Sequence, residues 1–242
     1  MKKTAIVTGS NRGIGRAIAV RLAQDGYNVV LCARDEALLQ KTANEIGPDT
    51  LTVPIDLRLP ESAAKVVQAA LDKFGSLDVL VNNAGATKRG DFLELKDEDF
   101  IDGFALKYYS AVRMTRAAWL HLKKQKGAVV NIVGAGGRTP GAQFAIGGSV
   151  NAAILSFSKA VSEKGIADGI QITVINPGPV RTARLQAQLS SMDEAEFVKA
   201  HRIARIGEPE DIAAMVAFVL TPAGRLLQGS LIDMDGGSTK TI

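Results

Sequence analysis

The sequence has little of several features that mark particular classes of protein. Its 242 residues include one cysteine, Cys32, so the chain can form neither an intrachain disulfide nor a metal site of several cysteines. It contains 8 prolines and 5% aromatic residues, and its 29 basic and 25 acidic residues leave a net charge of only +4. This composition is unlike that of collagen-like or disordered chains. The small, scattered positive excess gives no reason to expect binding to nucleic acid or a membrane surface.

Long hydrophobic runs are also missing. No apolar run reaches the ~20 residues that a membrane span needs, and residues 1–4 lead into the first apolar segment without a signal region. We therefore expect a cytoplasmic protein with no membrane partner. What the sequence does have is 46% hydrophobic residues and 24 glycines. Over this length they predict one large domain, residues 1–242, with a well-buried core.

Short apolar segments alternate with amphipathic segments along the chain. The apolar segments, interpreted as strands, are 5–7, 28–32, 51–54, 78–81, 128–133, 171–175 and 230–234. The amphipathic segments, interpreted as helices, are 16–25, 37–46, 61–74, 97–126 with an interruption near Gly103, 149–164 and 208–220. The alternation predicts an α/β fold with a doubly wound parallel sheet of about seven strands and helices on both faces. Ligands of such a sheet bind at the carboxyl ends of its strands.

The stretch from Thr8 to Gly15 joins the first predicted strand to the first predicted helix. Its glycines at positions 9, 13 and 15 allow positive φ angles and close backbone approach. The helix that follows offers unpaired N–H groups and a positive dipole end to a phosphate. The stretch therefore predicts a seat for a dinucleotide pyrophosphate, although its Gly-x-x-x-Gly-x-Gly spacing differs from the Gly-x-Gly-x-x-Gly fingerprint. An ordinary tight turn without a ligand is the alternative interpretation.

Three further motifs follow this turn: Asn82-Asn83-Ala84-Gly85, then 176–182, then 233–237. In this order the motifs make the chain similar to the short-chain dehydrogenase/reductase family over nearly its whole length. The resemblance implies a Rossmann-type fold, a bound NAD or NADP, a small-molecule substrate, and assembly into homotetramers or homodimers. It implies that the cofactor pyrophosphate is contacted by the glycine turn, through Gly9, Asn11, Arg12, Gly13, Ile14 and Gly15. The adenine would be bordered by Asp56 and Leu57, and the ribose side by Asn83, Ala84 and Gly85. The nicotinamide end would be contacted by Pro177, Gly178, Val180 and Thr182.

The end of the second predicted strand bears on which of the two cofactors binds. A carboxylate there would accept hydrogen bonds from a ribose 2′-OH and repel a 2′-phosphate. This chain has Ala33-Arg34 instead, and Arg34 together with Arg12 offers charge-assisted hydrogen bonds to a phosphate. The sequence therefore favours NADP(H). The alternative is that both arginines are solvated surface charges.

The catalytic residues that the resemblance implies are missing from their positions. The family uses an Asn, a Ser and a Tyr-x-x-x-Lys pair, and counting from the shared motifs puts these positions at Lys107, Gly134, Gly147 and Asn151. No Tyr-x-x-x-Lys occurs anywhere in the chain. The usual tyrosine, whose proton transfer is worth typically ~10²–10⁴-fold in rate, is therefore absent. Hydride transfer itself needs mainly orientation by the protein, because the nicotinamide supplies the hydride.

Other residues near the predicted site are candidates for its chemistry. An ammonium at Lys107 would point toward the nicotinamide pocket, where a lowered pKa would let it polarise a carbonyl or donate a proton. A plain helix-surface lysine is the alternative. Asn151 can still hydrogen-bond a ribose hydroxyl, and a residue near the start of its helix that contacts no ligand is the alternative. Further candidates for substrate contact, each with a purely structural role as the alternative, are Tyr108, Arg138, Gln143 and Ser149.

Three functions stay open at this point. The first is an NADP(H)-dependent oxidoreductase that acts on a carbonyl or alcohol through a rearranged active site. Residues 181–205, which are polar and irregular in pattern, would form a lid over its substrate. The second is a cofactor-binding protein without turnover, a regulator or a structural subunit. The third is a lyase, isomerase or hydrolase that keeps the fold without net hydride transfer. We rank the first highest because the cofactor motifs are complete.

Overall fold

The structure, a computed structural model, describes residues 2–190 and 192–240. Within these ranges the strands are β1 Thr4–Thr8, β2 Asn28–Ala33, β3 Thr50–Pro54, β4 Val79–Asn82, β5 Ala128–Ile132, β6 Gln171–Pro177 and β7 Leu231–Met234. They pair in parallel to form one sheet in the order β3-β2-β1-β4-β5-β6-β7. The predicted doubly wound parallel sheet is confirmed.

Helices pack on both faces of this sheet. They are α1 Gly13–Gln24, α2 Glu36–Ile46, α3 Ser62–Phe74, α4 Asp97–Gly103, α5 Ser110–Gln125, α6 Ala145–Asp168, α7 Ala183–Leu189, α8 Glu194–His201 and α9 Pro209–Val219. Because successive side chains of a strand point to opposite sides, each face has its own apolar cluster. Ala5 and Val7 of β1 belong to the cluster that includes Ile18 of α1. Ile6 belongs to the other cluster, with Met114 of α5.

The strand order reverses between β1 and β4, and such a reversal opens a crevice outside the carboxyl ends of the strands. The loops that follow β1, β4, β5 and β6 lie at this edge. The topology therefore gathers the glycine turn, the segment 82–85, the stretch 133–151 and the segment 176–182 around one crevice.

The predicted helix 97–126 consists of three parts. α4 is followed by a π-helical turn over Phe104–Tyr109 and then by α5, so the predicted interruption near Gly103 is confirmed. A π-helical turn shifts the rotation of the side chains that it carries, and such turns are frequent at functional sites. At Gly103 an added Cβ would lie 2.6 Å from Cγ2 of Ile146. The glycine therefore allows α4 and α6 to approach closely at the entrance to the turn.

The start of α6 was predicted wrongly. The prediction placed it at Ser149, whereas the helix begins at Ala145 and includes Gly147 and Gly148, which lie before the predicted start. Gly147 and Gly148 are buried, and a Cβ at Gly148 would lie 2.6 Å from Cβ of Pro140. These two glycines are needed for close packing within a helix, which sequence alone does not distinguish from loop flexibility.

Residues 181–205 are more regular than predicted. They contain α7 and α8, which pack around a small apolar cluster of their own that includes Leu185 and Phe197. Arg181 donates to Glu194 at the start of α8 and to Glu208 just before α9, which fixes the base of this segment. The interpretation of the segment as a lid, and of 1–242 as one domain, stays a prediction.

One apolar stretch is longer than the sequence pattern predicted. Residues Ala142–Asp168 are long and apolar enough, by length and composition alone, to cross a membrane. In the structure this stretch includes α6, which packs beside β6 and buries Ile146, Val150 and Ile154 completely or nearly so. That packing is typical of a core helix of an α/β protein, which meets the same criteria of length and composition.

Candidate functional site

The glycine turn is compact because its glycines allow backbone to pack on backbone. Gly9 and Gly13 have φ angles of +66° and +53°, a region that side chains disfavour. A Cβ at Gly15 would lie 2.2 Å from the carbonyl oxygen of Gly9 and 2.4 Å from Nδ2 of Asn83. The turn can therefore keep its shape only with glycine at these positions.

Hydrogen bonds join the glycine turn to the segment after β4. The hydroxyl of Thr8 accepts from the backbone N–H groups of Asn83 and Ala84, both at 2.9 Å. The side-chain amide of Asn83 donates to the carbonyl oxygens of Thr8 and Gly9 at 2.9 and 3.2 Å. The two loops at the reversal of strand order are thus held as one unit.

The first turn of α1 lies beside this unit, and no side chain among the described residues accepts a hydrogen bond from its N–H groups. Arg12 precedes the helix without capping it, and the first turn carries no acidic residue. Asn11, Gly13 and Ile14 are partly buried around it. A Cβ at Gly13 would lie 3.3 Å from Cγ2 of Thr182, so the segment after β6 closes over the helix start. A helix N-terminus with these features fits a dinucleotide pyrophosphate.

The two arginines predicted to select the cofactor are exposed. Within the described residues, no hydrogen bond or ion pair engages the guanidinium group of Arg12 or of Arg34. The nearest carboxylate in sequence, Asp35, accepts from the backbone N–H of Leu38 at 3.0 Å and so caps α2. The carboxylate next to Arg34 is therefore already used by the fold.

Asp56 and Leu57, which were predicted to border the adenine, both have side-chain contacts within the protein. The carboxylate of Asp56 accepts from the backbone and the guanidinium of Arg58 at 3.0 and 3.2 Å. Leu57 is buried, and its side chain packs in the core cluster on that face of the sheet. The side chains of both residues are therefore engaged within the protein.

The segment at the predicted nicotinamide end continues directly from β6. Pro177 ends the strand, and a Cβ at Gly178 would lie 2.6 Å from Cα of Asp235. Val180 is buried and pairs with Gly207 in a parallel bridge. Close backbone contact thus fixes this segment as it does the glycine turn.

Lys107 extends from the π-helical turn into the crevice. Its ammonium donates to the carbonyl oxygen of Val133 and to Oδ1 of Asn151, both at 2.6 Å. Its methylene chain passes over Gly85, where an added Cβ would lie 2.7 Å from Cδ of the lysine. The structure thus places Lys107 between the segment after β4 and α6, and its position toward a nicotinamide pocket stays a prediction.

The environment of Lys107 disfavours its charged form. Burial, and to a smaller extent the positive charge of Arg184 at the start of α7, lower the pKa of Lys107 to about 7. An amine with a pKa near neutrality can both hold and release a proton at physiological pH, which a surface lysine with its usual pKa cannot do. Its two acceptors are fixed in place: Val133 follows β5, and Asn151 is buried on α6.

Phe144 fills the space beside Gly147, the position where the resemblance places the tyrosine. A Cβ at Gly147 would lie 2.0 Å from Cζ of Phe144, and one at Gly136 would lie 2.8 Å from its Cε1. The guanidinium carbon of Arg89 lies 4.1 Å from the centroid of the same ring. Neither Phe144 nor Arg89 was predicted as a site residue, and only Gly136 and Gly147 indicate in the sequence that a large side chain from elsewhere fills this space.

Of the other predicted site residues, Asn151 is buried in the crevice, whereas Ser149 and Gln143 are exposed. Asn151 lies at its centre, bonded to Lys107 and donating to the carbonyl oxygen of Gly134 at 3.4 Å. Ser149 is exposed, and its hydroxyl donates to a carbonyl oxygen of its own helix. Gln143 is exposed beside Phe144, and its carbonyl oxygen accepts from the N–H of Gly90.

The side chains of Arg138 and Tyr108, the last two predicted site residues, contact other parts of the fold. Arg138 forms an ion pair with Asp233 of β7, which ties the loop after β5 to the neighbouring edge of the sheet. Tyr108 makes edge-to-face contacts with Phe104 and Phe157, with ring centroids 6.1 and 6.2 Å apart. The structure thus brings Lys107 and Asn151 together and places Arg138 and Tyr108 in supporting contacts.

Comparisons with known proteins agree with this fold and this arrangement of loops. Residues 9–239 match the family model described as enoyl-(acyl carrier protein) reductase. The 3-oxoacyl-[acyl-carrier-protein] reductase FabG of Vibrio cholerae is 30% identical over 239 residues, which cover 97% of this chain and 96% of that protein.

Solved structures extend the similarity to three dimensions. L-sorbose reductase from Gluconobacter frateurii, complexed with NADPH and L-sorbose, has a TM-score of 0.93 and 30% identity and covers 100% of this chain and 98% of its own. A 3-ketoacyl-(acyl-carrier-protein) reductase from Brucella melitensis, complexed with NADH, has a TM-score of 0.90 and 28% identity over 98% of each chain. Sheet order, motif order and these matches agree along the whole chain, which belongs to the short-chain dehydrogenase/reductase family.

Proposed function

We propose that this chain is an NADP(H)-dependent oxidoreductase that acts on a carbonyl or alcohol, with Lys107 in place of the family's tyrosine as the proton donor. The observation that carries the proposal is the placement of the Lys107 ammonium, 2.6 Å from both Val133 O and Asn151 Oδ1 within the crevice. The positions that the resemblance assigns to serine and tyrosine hold Gly134 and Gly147, so the lysine is the titratable group that remains at this point.

The chemistry of Lys107 follows from its hydrogen bonds. An ammonium has three protons, and two of them go to the fixed carbonyl oxygens of Val133 and Asn151. The third is available to a substrate carbonyl oxygen, which it would polarise and then protonate as the oxygen becomes an alkoxide. The bound nicotinamide would supply or accept the hydride. Asn151, held by Lys107 and Gly134, would position the amine and offer its amide to a ribose hydroxyl.

NADP(H) is the cofactor that the exposed arginines favour. Arg12 and Arg34 flank the end of β2, and their guanidinium groups can bind a 2′-phosphate, while Asp35 is occupied at the cap of α2. The structural neighbours include one with NADPH and one with NADH. The choice between the two therefore depends on these residues of this chain.

Replacement of Lys107 by methionine tests the proton donor. We expect Lys107→Met to lower the rate of NADPH-dependent reduction, measured by loss of nicotinamide absorbance over a panel of small ketones and oxo acids, by ~10²–10⁴-fold. NADPH affinity should change less than threefold. The matched control is Lys124→Met, because Lys124 is exposed at the end of α5.

The other outcomes separate the competing functions. Unchanged turnover in Lys107→Met would overturn the assignment of Lys107. Tight NADPH binding by the unsubstituted protein with no oxidation by any carbonyl would favour a cofactor-binding protein without turnover. Product formation without loss of nicotinamide absorbance would favour a lyase, isomerase or hydrolase.

Replacement of the two arginines tests cofactor choice. A fluorescence titration should give tighter binding of NADPH than of NADH, and Arg12→Ala with Arg34→Ala should remove most of that difference, about tenfold or more. Arg21→Ala serves as the control, since Arg21 pairs with Asp25 at the far end of α1. Equal affinity for the two cofactors in the unsubstituted protein would contradict NADP(H) preference.

Assembly into a homodimer or homotetramer is also part of the proposal. Large apolar side chains are exposed on α5, α6, α9 and the segment before β7: Leu120, Ile166, Phe218 and Leu226. Burial of such side chains is a common driving force for association. Sedimentation as a monomer at micromolar concentration would refute this part of the proposal.

A further inference from the structure

Three positive side chains surround the substrate side of the crevice. Lys107 enters it from the π-helical turn, Arg89 lies on the loop after β4, and Arg184 lies in the first turn of α7. The dinucleotide cradle, formed by the glycine turn and α1, lies at a different part of the same edge. Positive charge is thus concentrated where a substrate would meet the cofactor.

Arg89 is held in place by an aromatic ring. Its guanidinium carbon lies 4.1 Å from the centroid of Phe144, within the range of a cation–π contact. The N–H of Gly90 donates to the carbonyl oxygen of Gln143 at 3.2 Å, which joins the loop of Arg89 to the turn of Phe144. The ring itself abuts Gly147. The ring of Phe144 therefore lies between the guanidinium group of Arg89 and Gly147, the position where the resemblance places the reacting tyrosine.

The charges of Arg89 and Arg184 are not neutralised by the fold. Over residues 2–190 and 192–240, neither guanidinium has a hydrogen bond or an ion pair to another residue. The carboxylate nearest to Arg89 in sequence, that of Asp91, accepts from the N–H of Leu93 at 3.0 Å. Arg181, by contrast, is bound by two glutamates.

The positive charge of Arg184 also disfavours the charged forms of Arg89 and Lys107. Burial, and after it the positive charge of Arg184, lower the pKa of Arg89. The same two causes lower the pKa of Lys107. Like charges gathered without a counterion raise the free energy of the charged forms, and an anion bound among them would reverse that effect.

We propose that Arg89, Arg184 and the ring of Phe144 form a subsite for an anionic group of the substrate, a carboxylate or a phosphate, beside Lys107. This inference rests on the proposed function, because it names the class of carbonyl compound that the site takes. A guanidinium group presents a planar fork of donors that matches either anion. The stacked ring limits the directions in which Arg89 can point, which lowers the entropy lost on binding.

Calorimetric titration of the NADPH-loaded protein with simple probes tests the subsite. Benzoate and inorganic phosphate represent the two anions, and benzamide is the uncharged analogue of benzoate. We expect one of the anions to bind at least tenfold more tightly than benzamide, and the stronger of the two identifies the anion. Arg89→Gln and Arg184→Gln should each weaken that binding by about tenfold to a hundredfold. Arg116→Gln, at an exposed arginine of α5, should leave it unchanged.

Several results would overturn the subsite. Benzamide binding as tightly as benzoate and phosphate would do so, as would anion affinity that survives both substitutions. A loss of NADPH affinity in Arg184→Gln without any loss of anion affinity in Arg89→Gln would assign the charges to the dinucleotide instead. Failure of NADPH to bind the unsubstituted protein contradicts the proposed function, and titration of the free protein with the same anions and variants then decides on the subsite separately.

Discussion

Glycines line both the dinucleotide half of the crevice, which is the glycine turn with the segment after β4, and the substrate half, which is the stretch 133–151 with Lys107. Different atoms occupy the space beside the glycines in each half. A Cβ at Gly15, in the dinucleotide half, would lie 2.2 Å from the backbone oxygen of Gly9. A Cβ at Gly147, in the substrate half, would lie 2.0 Å from the ring of Phe144. Backbone within a hydrogen-bonded turn cannot move aside, whereas a side chain can adopt another rotamer. The first half therefore admits one arrangement, and the second can be rebuilt by changing a few side chains.

The two halves also differ in the hydrogen bonds of their polar side chains. In the dinucleotide half, Asn83 and Thr8 bond backbone atoms, which is typical of a scaffold. In the substrate half, Lys107 and Asn151 hydrogen-bond each other through their side chains, in addition to the backbone carbonyl oxygens of Val133 and Gly134. Chemistry can change in a half that is held together partly by bonds between side chains while the cofactor seat keeps its geometry.

The largest expected effect comes from Gly15→Ala. Its Cβ meets backbone that cannot yield, so we expect loss of NADPH binding and a decrease of at least about 3 kcal/mol in the free energy of unfolding. Urea denaturation and fluorescence titration measure the two. Gly141→Ala is the matched control, because no atom lies within 4 Å of its added Cβ. A Gly15→Ala protein that binds NADPH normally would remove the distinction between the two halves.

The next effect is a pH dependence of stability caused by Lys107. Its pKa is lowered to about 7 in the folded protein, so between pH 7 and the higher pKa of the unfolded chain the unfolded state binds more protons. The free energy of unfolding therefore rises with pH in that window, by at most about 1.4 kcal/mol per pH unit. Lys107→Met should lack this rise. Parallel curves for the two proteins from pH 7.5 to 9.5 would show that the lysine titrates normally.

A smaller effect is expected at Gly147. Gly147→Ala should lower the free energy of unfolding by about 1–2 kcal/mol, because its Cβ overlaps the ring of Phe144. In a Phe144→Leu background the same substitution should cost nothing or be favourable, since alanine is the better helix former. The double-mutant cycle should give a coupling energy of about 1 kcal/mol or more. Additive effects would mean that Phe144 does not fill this space.

Much of the scaffold could be predicted from the sequence because it depends on local patterns. The strands β1 to β7 follow from apolar segments between turns, and the glycine turn from its spacing. The start of α6 could not be predicted, since Gly147 and Gly148 have the same sequence signal in a tight packing contact as in a loop.

The candidate site was predictable in part. The position of Lys107 followed from the family's motifs, but its bond to Asn151 depends on the rotation introduced by the π-helical turn, which has no residue pattern of its own. The contact between Arg89 and Phe144 joins two residues that lie 55 positions apart in the sequence. Contacts of that range depend on tertiary packing, which local propensity does not determine.

The most direct test is the pKa of Lys107 itself, measured by NMR on protein with lysine labelled at Cε and Nζ. The resonance missing from the spectrum of Lys107→Met identifies the residue, and no substrate is needed. A midpoint of about 7 in the free protein is the predicted result, as expected for a partly buried proton donor beside Arg184. A midpoint of 9 or above, as for a solvated surface lysine, would contradict the role of Lys107 as the acid.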